Sequence, residues 1–199
     1  MRGVMHSIHI ARLHAHICGD GHLYIDRGGR GKNYVVEYTN KSLDLIYSFT
    51  NDVVAVLGKR PIIIHPTKKN VLVARVKSKY LFYLLKRLGT GDSREWRASA
   101  FLNSGKEVLV NWLSAFIDDE GYLDQVKHRI VLNSVNYNGL RDVQSMLNIL
   151  GINSKVYDYS EKWDFYRLII GGIDNLCKLA EKLNLYHKMK RKILNKICS

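Results

Sequence analysis

Two carboxylates, Asp20 and Glu120, stand one hundred residues apart in the same local setting, one suited to holding a cation. Leu13–Gly21 reads LHAHICGDG and Leu113–Gly121 reads LSAFIDDEG. The two stretches agree at the leading Leu, at Ala15 and Ala115, at Ile17 and Ile117, at the acid and at the closing Gly. Upstream of the second acid, Val108, Leu109, Val110, Trp112, Leu113, Phe116 and Ile117 make a helix apolar nearly all round. Its last turn then carries Asp118, Asp119 and Glu120, with Gly121 as the stop. The carbonyl end of a helix is already partly negative, so each anion there costs roughly 0.3–1 kcal/mol. A single acidic turn needs no explanation beyond solvation. A repeated one calls for a positive charge.

Small residues at Ala15 and Gly19, one turn apart, let two such helices pack closely and bring their acidic ends together; Asp119 at the matching slot predicts an asymmetric contact. Neighbouring carboxylates raise one another's pKa, and a divalent cation relieves the conflict. Mg²⁺ takes oxygen ligands and keeps several waters, so one or two protein carboxylates plus phosphate oxygens suffice. Such an ion activates water and stabilises charge developing on a phosphate.

The elements that position these acids repeat as well. His22–Asp26 and Asn33–Asn40 alternate as strands around the turn RGGRGK, and Ser42 caps a helix over 43–57 that Gly58 closes. A second hairpin follows at 62–64 and 71–77, then a helix over 79–88. After a connection at 91–106, with a short helical piece around 93–102, the order is replayed. Strands are expected at 122–126, 129–133, 154–159 and 165–170, and helices at 137–150 and 173–183. Asn40 and Asn133 end equivalent strands, and Gly58 and Gly151 end equivalent helices. This is an internal duplication rather than a short repeat array. It predicts an α+β fold of two pseudo-twofold-related αββαββα halves, residues 1–90 and 107–199, with an extra basic helix over 186–198.

Composition bounds the partners. The 199 residues are 46% hydrophobic and 25% charged, which suits a globular protein. Lys and Arg number 31 against 18 Asp and Glu, a net charge of +13 that favours a polyanion. No run approaches membrane-span length, so nucleic acid is the expected partner rather than a lipid surface. The basic tail reads either as a solvated helix face or as a phosphate clamp. Cys18, Cys177 and Cys198 form no zinc or redox motif and are read as idle or buried thiols of a reducing compartment. His14 and His16 lie two apart on a helix, point to different sides, and are read as packing or surface residues.

If the apolar strand faces pack on helices, the opposite faces form two open ribbons, and a two-stranded ribbon fits the major groove. Candidates on them are Tyr24, Asp26, Arg30, Lys32, Asn33, Glu37, Arg75 and Lys77 in the first half. In the second they are Lys155, Tyr157, Tyr159 and Arg167, while Lys68, Lys69, Lys162 and Trp163 sit at turn tips suited to phosphates.

The twin stretches resemble the signature of the LAGLIDADG homing endonucleases in their single-chain form, and in length the small archaeal intron-encoded members. The resemblance spans roughly residues 8–185. It implies motif helices packed at the centre of a DNA-binding saddle and a monomer that cuts both strands of a long, non-palindromic duplex across the minor groove. Short 3′ overhangs would result. It further implies metal at Asp20 and Glu120 with the carbonyls of Gly19 and Asp119 nearby, Mg²⁺ being the ion and Mn²⁺ or Ca²⁺ able to take its place in binding. Asn40 and Lys41 match the family's polar–Lys pair, and Asn133 the polar slot of the other half. There Ser134 and Leu123 stand where relatives carry Lys, so either Lys127 or Arg129 supplies the basic group or the second site is the slower one. The implied setting is cytoplasmic, archaeal or nucleoid-associated, with an organellar host open. The same fold also serves intron RNA maturases and non-catalytic DNA-binding regulators.

Overall fold

The computed structural model describes residues 2–28, 31–65, 70–158 and 165–199, with side chains from residue 7 onward. The first half runs α1 (Arg2–Cys18), β1 (Gly21–Asp26), β2 (Asn33–Asn40), α2 (Leu43–Leu57), β3 (Ile62–Ile64), β4 (Leu72–Lys77) and α3 (Lys79–Leu88). The second runs α4 (Lys106–Glu120), β5 (Tyr122–Asp124), β6 (Arg129–Ser134), α5 (Tyr137–Ile149), β7 (Lys155–Asp158), β8 (Tyr166–Gly171) and α6 (Ile173–Lys182), and α7 (Lys188–Cys198) follows. Each half folds its strands into one antiparallel sheet. The orders are β1-β2-β4-β3 and β5-β6-β8-β7, the same topology twice.

Local chemistry fixes the ends of these elements. The Ser78 hydroxyl accepts from Leu81 N at 3.2 Å to cap α3, and the Asn136 side chain accepts from Gly139 N at 2.9 Å to cap α5. α2 stops at Gly58, whose φ of +67° is left-handed backbone, the conformation a helix-terminating glycine adopts without steric cost.

α1 has no solvent side through its last two turns because it serves two cores. Leu13 and Ile17, one turn apart, belong to the core of the first half with Val36, Tyr38, Phe49 and Leu85. Ala11, Ala15 and Cys18 belong to the core of the second half, around Trp112, Phe116, Leu132 and Met146. The two motif helices thus form the central layer, each half closing its sheet over one side.

The connection 91–106 is no free tether. Instead of the expected helix over 93–102 it holds one 3₁₀ turn, Ser99–Phe101. Trp96, Ala98 and Phe101 are buried in the second core, and Arg97 forks onto Asp142 at 2.8 and 2.9 Å. Trp96 passes so close to α5 that a Cβ on Gly139 would lie 2.5 Å from its ring, so only glycine fits there.

The cysteines need a correction. Cys177 and Cys198 are bonded, with Cα atoms 5.3 Å apart, and tie α6 to α7; Cys18 alone stays free, and it is buried. Their separation of 21 residues conceals the pairing, which depends on how two helices pack rather than on any local motif. Among the described residues, no helix is long and apolar enough to cross a membrane.

Candidate metal and nucleic-acid site

The C-terminal ends of α1 and α4 abut. A Cβ built on Gly19 would stand 2.9 Å from the Cβ of Asp119, so the glycine leaves room for the acid that faces it. The asymmetric contact expected at this seam is therefore present. Asp119 is spent on the seam itself, its side chain wholly buried. One of its oxygens accepts from the Tyr38 hydroxyl at 2.5 Å and the other lies 2.9 Å from Nδ1 of His16. His14, on the opposite side of α1, accepts from the indole N–H of Trp112 at 3.1 Å, and burial takes its pKa down to about 3. Both histidines pack inside, on different sides of α1 as their spacing predicts.

The two signature acids open to different clefts. Asp20 lines one with Thr39, Asn40, Lys41, Asp118, Asp119, His187 and Lys190. Glu120 lines the other with Gly19, Lys86, Arg94, Asn133 and Ser134. Each cleft thus takes an acid from one motif helix, the end of the other helix, and the Asn that closes the neighbouring strand. Lost hydration raises Asp20 to about 6, with the charge of Asp119 adding and that of Lys190 opposing. Lost hydration raises Glu120 to about 7, helped by the charges of Asp20 and Asp119. Glu120 thus feels the charge of Asp20 across the seam.

The neighbours of these acids differ. Asn40 donates from Nδ2 to Asp20 at 2.8 Å and to the Tyr38 oxygen at 3.1 Å, so Asp20, Asn40, Tyr38, Asp119 and His16 form one hydrogen-bonded line. Lys41 is exposed at the rim of the same cleft. On the other side Asn133 accepts from Arg167 Nε at 2.9 Å rather than contacting Glu120 through a described hydrogen bond. Neither Lys127 nor Arg129 lines the Glu120 cleft. Arg129 bonds Asp124 at 3.1 Å and Lys127 sits in the exposed β5–β6 turn. Lys86 of α3 and Arg94 of the connection are the basic residues there, and the expectation is corrected accordingly.

One basic residue of the tail turns inward, while Lys188, Arg191, Lys192 and Lys196 stay exposed. Lys190 of α7 reaches back to the end of α4 and donates to the carbonyl oxygens of Ile117, Asp118 and Asp119 at 3.1, 2.5 and 3.5 Å. Asp118 in turn accepts from the backbone N–H groups of Tyr186 and His187, at 2.7 and 3.2 Å, just before α7 begins. The dipole conflict read from three acids at a helix end is offset by a lysine from seventy residues downstream.

Strand register tests the open faces. Tyr24, Asp26, Asn33, Glu37, Arg75 and Lys77 fall on one side of the first sheet, as the pairs Asp26–Asn33 and Glu37–Arg75 require. Glu37 accepts from Tyr24 at 3.1 Å and from Arg75 at 2.6 Å, which fixes both side chains on that face. Arg129, Asn133, Lys155, Tyr157 and Arg167 share the matching face of the second sheet. Lys32 is exposed beside β2. Arg30, Lys68, Lys69, Tyr159, Lys162 and Trp163 lie outside the described residues.

Residues 107–184 match the family model of a LAGLIDADG-like domain. The chain superposes on the homing endonuclease I-DmoI, in a structure of its mesophilic variants, with a TM-score of 0.70 and 23% identity over 90% of this chain and 97% of that one. The second half thus carries a LAGLIDADG-like domain, and the chain has the fold of a single-chain, two-motif LAGLIDADG protein. I-DmoI in complex with DNA and Mn aligns equally well, with a TM-score of 0.68 and 23% identity over 89% of this chain and 97% of that one. The N-terminal LAGLIDADG domain of DUF199/WhiA aligns at a TM-score of 0.62 and 14% identity, covering 93% of this chain and 87% of that one. At these identities the likeness establishes the LAGLIDADG fold. No curated protein matches the chain in sequence.

The donor set suits a hard divalent cation. Every candidate ligand is oxygen: Asp20 shares its cleft with Asp119, and Glu120 shares its cleft with Gly19, the two residues expected to offer a carbonyl. Among the described residues no three His, Cys, Asp or Glu side chains converge into a closed metal cage. One carboxylate per cleft fits an ion that keeps its waters and completes its shell with phosphate oxygens.

Proposed function

We propose that this protein is a monomeric, metal-dependent endonuclease that hydrolyses both strands of a long, non-palindromic DNA duplex across the minor groove, leaving short 3′ overhangs. The observation that carries the reading is the pair of acids at abutting helix ends, each opening on its own cleft with an Asn from the adjoining strand. Basic and aromatic side chains on the two open sheet faces supply the groove contacts, Arg75 and Lys77 on one side and Lys155, Tyr157 and Arg167 on the other.

Within each cleft the chain's own groups hold and orient. Asp20 and the Asp119 carbonyl would hold an ion on one side, and Glu120 and the Gly19 carbonyl on the other. Mg²⁺ so bound would supply an activated water and relief of charge at the phosphate, a role Mn²⁺ can share. Asn40 fixes the Asp20 carboxylate through its 2.8 Å bond, and Lys41 offers an ammonium to the phosphate. Beside Glu120 that positive charge comes from Lys86 and Arg94, since Ser134 replaces the lysine. The solved complex of I-DmoI with DNA and Mn supports the choice of partner and ion.

The test is incubation of the protein with plasmids bearing candidate target sites, in Mg²⁺ and in EDTA. Asp20→Asn or Glu120→Gln should abolish double-strand cleavage, by more than about 100-fold, with duplex binding retained. Wild-type cutting in EDTA, or full double-strand cutting by either variant, would overturn the reading.

A further inference from the structure

α7 has no counterpart in the duplication, yet it is built into the Asp20 cleft from three directions. Asp118 holds the backbone at its start through Tyr186 and His187. Lys188 pairs with Asp44 of α2 at 2.8 Å, which ties the helix to the first half. The Cys177–Cys198 bond ties its far end to α6. The side chain held in place by these anchors is Lys190, a wall residue of the cleft that holds Asp20, Asn40 and Lys41.

The bonding of this lysine is unusual. Its ammonium donates to three main-chain carbonyls, and none of its described hydrogen bonds goes to a carboxylate. The nearby acids are engaged elsewhere, Asp118 by Tyr186 and His187 and Asp119 by Tyr38 and His16. The positive charge is therefore spread over the whole acidic cluster instead of being neutralised by one partner. One of the three carbonyls, that of Asp119, is also a donor assigned above to a metal in this cleft. An ion held there would lie within a few ångström of the ammonium. At the other helix end, no lysine is hydrogen-bonded to the last-turn carbonyls of α1 among the described bonds.

We propose that Lys190 is a resident cation of the Asp20 cleft, occupying part of the shell that a divalent ion would use and weakening metal binding most on that side. The inference rests on the metal-dependent reading above. A unit charge about 6 Å from a divalent ion changes its affinity about tenfold even with the dielectric of bulk water between them, and more in a drier cleft. The lysine stabilises the metal-free protein and sets the cation concentration at which the Asp20 cleft fills.

The test is Mn²⁺ binding to the full-length protein alone, read from the paramagnetic resonance signal of free Mn²⁺. Glu120→Gln leaves the Asp20 cleft to report, and Asp20→Asn leaves the Glu120 cleft. Added to Glu120→Gln, Lys190→Gln keeps a donor for the carbonyls without the charge and should tighten Mn²⁺ binding by about tenfold or more. Lys190→Arg should leave the affinity within about twofold, and Lys190→Gln added to Asp20→Asn should tighten binding clearly less than it does when added to Glu120→Gln. Unchanged affinity on adding Lys190→Gln to Glu120→Gln, with an intact melting transition, overturns the proposal while leaving the endonuclease reading standing. Absence of Mn²⁺ binding in every variant overturns the metal reading itself and this proposal with it. Cleavage that persists in EDTA would do the same.

Discussion

Replacing Glu120 by Gln should make the metal-free protein more stable, and mainly at a pH where the carboxyl would be charged. In the folded chain lost hydration and the charges of Asp20 and Asp119 raise this group from 4.5 to about 7. The folded state therefore holds a proton that the unfolded chain has released between about pH 4.5 and pH 7. Stability contributed by that proton is full below the unfolded value and is lost as pH rises through the folded one. At pH 8 the ionised side chain sits in its cleft at a cost of about 3 kcal/mol, counting roughly 1.4 kcal/mol for each tenfold in the acid constant. Gln has nearly the same shape and carries no charge. For a chain of this size the difference corresponds to a rise in Tm of roughly 5–10 °C. The assay is thermal unfolding in EDTA at pH 5 and pH 8. The gain should be about 3 kcal/mol at pH 8 and fall below about 1 kcal/mol at pH 5, where the folded group keeps its proton and only the unfolded one has begun to lose it. A gain of the same size at both values, or a loss at pH 8, would refute the account of Glu120 as a charge held against its environment until a cation arrives.

Three further outcomes follow from the seam and the tail. Tyr38→Phe removes a donor from the buried Asp119 carboxylate and an acceptor from Asn40, so the denaturant midpoint should fall by the equivalent of about 1–3 kcal/mol. Gly19→Ala forces a Cβ to 2.9 Å from that of Asp119; a loss of about 1–3 kcal/mol by chemical denaturation is expected, and none would mean that the helix ends have slack. Cys177→Ser opens the 21-residue loop to Cys198 and should cost about 3 kcal/mol, measured as a lower unfolding midpoint that added reductant does not lower again.

Much of this was legible in the residues alone because it is local. Alternation marked the strands of both sheets, and matching Asn and Gly residues exposed the duplication. Register then put Tyr24, Asp26, Asn33, Glu37, Arg75 and Lys77 on one face, as a period of two requires. The features not legible depend on contacts between distant segments. Nothing around Lys190 distinguishes it from its basic neighbours; only the fold brings it to the end of α4. Lys86 and Arg94 reach the Glu120 cleft from α3 and the connection, where no motif spacing points. The partners of Asp119 are likewise spread over two halves, Tyr38 on β2 and His16 on α1.

The duplication also explains where the chain departs from symmetry. Two equal halves meeting at two acidic helix ends would leave both ends with the same surplus of negative charge. The segments that belong to neither repeat are the ones that close the clefts: the connection after α3 along the Glu120 side and α7 along the Asp20 side. Each brings a basic residue, Arg94 in one case and Lys190 in the other, and Lys190 bonds a carbonyl assigned to the metal. The repeat thus supplies the paired chemistry, and the added segments make its two copies unequal. On the endonuclease reading proposed above, the two strands of an asymmetric duplex would call for an inequality of that kind, and here it lies in the parts of the chain that were not duplicated.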